Sequence, residues 1–100
     1  MYYKNINTKQ LRKILEDKED ICLVDVRTEE EFEEKNIESA INIPLMELMY
    51  NVDEIEEYKD KKVIVYCRSG HRSITACNLL SMEGFKNLYN LDKGIIDFVL

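Results

Sequence analysis

The chain has 100 residues, 45% of them hydrophobic and 34% charged, with 3 Gly and 1 Pro. That balance fits a single folded globular domain and excludes a disordered tail, a linker or a low-complexity segment. A net charge of −6 disfavours nucleic acid as the main partner, and no apolar run approaches the ~18 residues of a membrane span.

In chain order, residues 2–6 are short and aromatic and predict a strand. Asn7 or Thr8 can cap the next segment, where Leu11, Ile14 and Leu15 recur at helical spacing to about residue 17. Residues 21–24 form a continuous apolar run ending at Asp25, which predicts a strand buried on both faces, as in a parallel sheet. Thr28 opens a helix with a capping box to Glu31 and acids at its positive end, and Phe32 is its apolar anchor. Residues 40–43 predict a short strand stopped by Pro44, which suits the first position of a helix to about residue 50. A further short helix is expected over residues 52–58, then the clearest strand at residues 63–66. After residues 67–73, Ile74, Cys77, Asn78, Leu79 and Leu80 fit a helix that Gly84 can end. Residues 87–91 predict a last strand. Gly94 precedes a terminal helix carrying Ile95, Ile96, Phe98 and Val99. Strands alternating with helices predict an α/β domain with a mainly parallel sheet. There is no internal repeat, and residues 1–100 read as one domain.

Residues 1–60 carry 8 basic and 17 acidic side chains, residues 61–100 carry 6 and 3. If a small anion binds, the second half is where it is expected, and the acidic runs of the first half read as solvated helix faces. The N-terminus lacks the apolar core of a secretory signal, so a cytoplasmic location is expected. The cysteines are Cys22, Cys67 and Cys77. A chain of this size needs no disulfide framework, and without a Cys-x-x-Cys pair or a Cys/His cluster no metal site is expected. His71, the one histidine, cannot build one alone.

Ligands of open α/β sheets bind beyond the carboxyl ends of the strands. Two such ends stand out: Asp25-Val26-Arg27, and Cys67 to Arg72. A buried strand delivers Cys67 to the sheet edge, and Gly70 permits a sharp turn into the next helix. Inward N–H groups of the turn, the helix end, and Arg68 and Arg72 all favour thiolate over thiol. The same groups could hold a small oxyanion against the sulfur. The alternative for Cys67 is an inert, buried strand-end cysteine, which the flanking arginines argue against. Cys22 and Cys77 fall on apolar faces and are expected in the core. A thiol ionised by its loop needs no general base, so His71 is expected to tune charge rather than to shuttle protons. Asp25 and Arg27 are either a surface ion pair or a pair through which Arg27 helps hold the loop or an anion.

Taken together, Leu23-Val24-Asp25-Val26-Arg27, Glu30-Glu31-Phe32, Ala40-Ile41-Asn42-Ile43-Pro44-Leu45, Val65-Tyr66-Cys67-Arg68-Ser69-Gly70-His71-Arg72-Ser73, Gly84-Phe85-Lys86-Asn87-Leu88-Tyr89-Asn90-Leu91 and Gly94-Ile95 resemble single-domain rhodanese-like proteins. The likeness runs from about residue 20 to the C-terminus and rests on the order and spacing of several motifs. It implies a three-layer rhodanese fold, a mainly parallel sheet of about five strands flanked by helices. It also implies sulfurtransferase chemistry without a cofactor. Cys67 would attack the outer sulfur of a small anionic donor such as thiosulfate, become a persulfide, and pass the sulfur to a thiol, cyanide or protein acceptor. Amides of Arg68, Ser69, Gly70, His71 and Arg72 would cradle the persulfide, with Asp25, Arg27 and Ser73 in support. Arg72 matches the family's loop arginine.

The sequence departs from the family pattern in places. The family's His-Ile-Pro-Gly-Ala is here Asn36-Ile37-Glu38-Ser39-Ala40, which is expected to alter a turn more than the chemistry. Lys93 replaces a second glycine before Gly94, and Phe98 stands for a tryptophan. Two other functions are alternatives, the first of which the intact Cys67 loop does not separate from a general enzyme. One is a dedicated sulfur-carrier or binding module. The other is a phosphatase or arsenate reductase: related dual-specificity phosphatases have a loop one residue longer, whereas here only Arg68, Ser69, Gly70 and His71 separate Cys67 from Arg72, leaving less room for a tetrahedral phosphate.

Overall fold

Strands form in the computed structural model, which describes residues 2–98, at β1 Lys4–Ile6, β2 Ile21–Asp25, β3 Ile41–Asn42, β4 Lys62–Tyr66 and β5 Asn87–Leu91. They make one 5-stranded sheet in the order β1-β5-β4-β2-β3, and every neighbouring pair is parallel. The central pair β2 and β4 reads as continuous apolar sequence because both faces are covered. Leu23 and Ile64 point to one side and Cys22, Val24, Val63 and Val65 to the other, as the period of two requires.

The helices are α1 Thr8–Glu16, α2 Glu29–Glu34, α3 Arg72–Met82 and α4 Gly94–Asp97. Capping boxes at Asn7–Gln10 and Thr28–Glu31 start α1 and α2. One face of the sheet packs against Ala76, Cys77 and Leu80 of α3, together with Leu48 and Ile55. The other packs against Leu11 of α1, Ile95 of α4 and Phe98. Cys22 and Cys77 are core residues, as expected.

Some elements differ from the sequence expectation. Leu45–Tyr50 and Val52–Tyr58 are 3-10 helices. Leu45 and Leu48 in the first, and Val52, Ile55 and Tyr58 in the second, pack against the sheet at a spacing of three, the period at which a 3-10 helix stacks its side chains on one side. Pro44 precedes the first of them as its cap rather than entering it. The first strand starts only at Lys4, where pairing with β5 begins, and Tyr2 is exposed. Val99 of the predicted terminal helix lies outside the described residues. No helix among the described residues is long and apolar enough to cross a membrane.

Where the family pattern has Pro-Gly, the turn survives without either residue. Ala40 N–H donates to Ile37 O at 3.1 Å, and Ser39 adopts φ 75°, the left-handed value that the third residue of a type II turn needs. A side chain costs about 1–2 kcal/mol there. Ser39→Gly is therefore expected to raise stability by about 1 kcal/mol in a denaturant titration. Lys93 sits at φ −107° and ψ 5°, open to any residue, so the missing second glycine costs nothing. Phe98 is buried, with the Arg12 guanidinium 4.3 Å above its ring.

The topology places the site. From β2 the chain leads outward to β3, and from β4 it leads the opposite way to β5. A crevice opens where the two connections diverge, between the carboxyl ends of β2 and β4. Asp25 and Tyr66 are in register there, followed by Arg27 on one strand end and Cys67 on the other.

Candidate active site

Cys67 leaves β4 into a tight loop that enters α3 at Arg72. The loop is fixed from behind by the chain after β5. Ile95 N–H donates to Cys67 O at 3.0 Å, and Ile96 N–H donates to Arg68 O at 3.1 Å. Gly94 (φ 65°) lies so close that a Cβ there would meet Arg68 O at 2.2 Å. Gly70 (φ 96°) is pressed as closely against the chain after β5, where a Cβ would meet Asp92 O, also at 2.2 Å. With the loop carbonyls turned toward α4, its N–H groups face the sulfur. Gly70 N–H and Ser73 N–H donate to Cys67 Sγ at 3.2 and 3.4 Å, and Ser73 Oγ lies 3.4 Å from it. Ser73 is oriented in turn by Asn90 of β5, whose Oδ1 accepts the serine hydroxyl at 2.5 Å. Asn90 Nδ2 donates to Asn5 Oδ1 at 3.0 Å and to Gly70 O at 3.4 Å.

These contacts decide the acidity of the thiol. Burial pushes it up, since Cys67 is 1% exposed. The Ser73 hydroxyl and the amides of Ser73, Gly70 and Ser69 push it down and prevail, so Cys67 ionises below its ordinary value. Burial raises the other two thiols, Cys22 to about 11 and Cys77 to about 12. Of the three buried cysteines, Cys67 is the one whose surroundings favour the thiolate.

The remaining expected site residues divide. Arg68, Ser69 and His71 are exposed on the loop, and His71 Nδ1 pairs with Ser69 Oγ at 3.2 Å rather than with the cysteine. The cradle reaches one residue deeper than expected, because Ser73 N–H, inside the first turn of α3, serves the sulfur. Arg72 is taken up by a carboxylate. Its Nη1 and Nη2 donate to Glu31 Oε1 and Oε2 of α2 at 2.8 and 3.0 Å. The Arg72 guanidinium, partly opposed by burial and helped by the Thr28 amide, holds the Glu31 carboxyl at about 2.

Asp25 and Arg27 are not a surface pair. Asp25 is fully buried and Arg27 is 5% exposed. Asp25 Oδ1 accepts Arg27 N–H at 2.8 Å and Oδ2 accepts Nη2–H at 2.7 Å. Arg27 Nη2 also donates to Lys35 O, just past α2, at 2.5 Å, and the guanidinium lies over the Tyr66 ring. Arg27 thus ties α2 to the sheet end and does not hold the cysteine loop. It lines a cavity of about 490 Å³ together with Glu31, Arg68 and Ile95. Across the Arg72–Glu31 pair, an apolar cavity of about 280 Å³ is lined by Val26, Pro44, Leu45, Met46 and Arg72.

Two residues in contact with the expected site residues escape the sequence reading as such. Glu31 shows there as a helix cap and in the Glu30-Glu31-Phe32 motif, but its link to Arg72 spans 41 positions. Asn90 carried a signal, a polar residue within the apolar strand pattern of Leu88 to Leu91. Among the described residues no group of His, Cys, Asp and Glu is placed to hold a metal ion.

The Rhodanese-like domain family profile matches residues 7–99. A sulfurtransferase of Allochromatium vinosum is 40% identical over 91 residues, covering 91% of this chain and 83% of its own length. A tRNA uridine(34) hydroxylase of Buchnera aphidicola is 35% identical over 94% of this chain, and the match spans 31% of that longer protein. The crystal structure of a rhodanese-like domain protein from Staphylococcus aureus superposes with a TM-score of 0.87 at 27% identity, covering 96% of this chain and 91% of the other.

Proposed function

Because the chain belongs to the rhodanese-like domain family, we propose that it is a sulfurtransferase that carries sulfane sulfur as a persulfide on Cys67. The observation that carries this reading is the Cys67 sulfur held under inward N–H groups of Gly70 and Ser73, contacts that favour its thiolate. With thiosulfate as donor, the thiolate attacks the outer sulfur, the donor S–S bond breaks, and sulfite leaves with the electron pair. The terminal persulfide sulfur is then an anion within reach of the same loop amides. An acceptor thiolate attacks that outer sulfur and releases Cys67 as thiolate, so the cycle closes without an external oxidant or reductant. The short loop favours this over phosphoryl transfer, which needs a wider ring of donors around three equatorial oxygens. The acidic balance of the chain, −6, supports a small or protein-borne acceptor over a nucleic acid.

The test is intact mass after incubation with thiosulfate. The protein is expected to gain one sulfur atom, mapped to Cys67 and removed by a reductant, and Cys67→Ser is expected to gain none. Sulfur found chiefly on Cys22 or Cys77 would overturn the assignment. So would efficient hydrolysis of an aryl phosphate through Cys67 with no sulfur transfer.

A further inference from the structure

The cations around the crevice are not equally available to a ligand. Arg27 is committed to Asp25, and Arg72 gives both terminal nitrogens to Glu31. Arg68 is exposed and is the one arginine of the crevice without a carboxylate partner among the described residues. Glu31 is no loose surface acid. Its Oε1 also accepts the Thr28 N–H at 3.1 Å and the Thr28 hydroxyl at 3.2 Å, so the first turn of α2 holds the carboxylate in place before any ligand arrives. Its side chain is 29% exposed and that of Arg72 is 37% exposed. The pair therefore stands at the rim, between the two cavities that flank the loop. A donor approaching Cys67 meets a neutral pair where the sequence offers a free guanidinium.

We propose that Glu31 is a specificity-determining residue that, by occupying Arg72, turns the site away from dianionic donors and toward donors of low charge, namely thiol persulfides. This rests on the sulfurtransferase reading and names the donor class within it. A dianion such as thiosulfate gains most from a free cation at the rim and loses most when a carboxylate neutralises it. At roughly 6 Å in water-like surroundings the difference is on the order of tenfold for two charges and about threefold for one. A thiol persulfide, R–S–SH, does not need that cation. The Cys67 thiolate bonds to its outer sulfur, the S–S bond breaks, the thiolate RS⁻ leaves with the electron pair, and the proton stays on the transferred sulfur.

Glu31→Gln tests this, because glutamine keeps the cap to Thr28 and the shape of the side chain while removing the charge. The variant is expected to use thiosulfate with kcat/KM raised on the order of tenfold, whereas use of mercaptoethanol persulfide rises about threefold at most. Adding Arg72→Ala to Glu31→Gln is expected to cancel the gain. A second readout needs no sulfur transfer. The rate of Cys67 alkylation by anionic iodoacetate, divided by the rate for neutral iodoacetamide, is expected to rise about threefold in Glu31→Gln. If sulfur transfer is intact and neither the donor ratio nor the reagent ratio moves, Glu31 does not set specificity. If the reagent ratio rises but neither donor loads Cys67 in either protein, the sulfurtransferase reading fails, and the donor preference with it.

Discussion

Gly94→Ala is expected to cut sulfur transfer through Cys67 on the order of a hundredfold or more, although residue 94 does not touch the sulfur. The added Cβ would lie 2.2 Å from Arg68 O, 2.4 Å from Arg68 C and 2.6 Å from Ser69 N. All three are backbone atoms, so no side chain can rotate away. The φ of 65° adds about 1–2 kcal/mol for any residue with a Cβ. The turn cannot retreat freely, because Ile95 is buried and the amides of Ile95 and Ile96 are bonded to the loop carbonyls. The loop must move, and its amides move off Sγ with it. Burial then acts on the thiol with less opposition, so its ionisation shifts upward from the lowered value. The pH midpoint of iodoacetamide labelling at Cys67 is accordingly expected to rise in Gly94→Ala, and the thiolate fraction at neutral pH to fall. Lys93→Gly, at a position with φ −107°, is the control and should change neither. An unchanged labelling midpoint with full transfer in Gly94→Ala would show that the turn after β5 does not shape the loop.

Much of this site can be read from the sequence because its signals are local. The runs at Ile21–Asp25 and Lys62–Tyr66 are too continuous for edge strands, and the residues that follow a buried parallel strand face the ligand side by topology alone. The Cys67 loop is legible for the same reason: nucleophile, turn glycine and helix start fall within seven consecutive residues. What escapes reading is pairing across the chain. The surplus of basic residues in the second half suggests an open positive site. Yet Arg72 is bound by a carboxylate from the acidic first half, and α2 is more than a solvated face. Asn90 of β5 meets Ser73 of α3 across 17 positions, a contact between two motifs that neither motif shows by itself. The 3-10 helices and the turn at Ser39 differ from expectation where apolar side chains three apart or a strained φ decide the backbone.

Arg27→Met is expected to destabilise the fold by about 3–5 kcal/mol, because it strands a buried carboxylate. Asp25 has no exposure, and its charge is answered by the Arg27 side chain and amide, at 2.7 and 2.8 Å. Methionine keeps much of the packing over Tyr66 and removes the cation, so the loss reads the charge rather than the volume. For a domain of this size that is a fall in thermal midpoint of roughly 15–30 °C, out of a total stability of about 5–15 kcal/mol. The lost hydrogen bond to Lys35 O should also loosen the end of α2, the helix that carries Glu31. Asp25→Asn in the same background removes the stranded charge, and the double variant is expected to be more stable than Arg27→Met alone. The competing role for Arg27, anion binding at the cavity it shares with Arg68, has the opposite signature. There Arg27→Met would melt like the wild type and lose donor affinity, and that outcome would move Arg27 from the scaffold into the binding site.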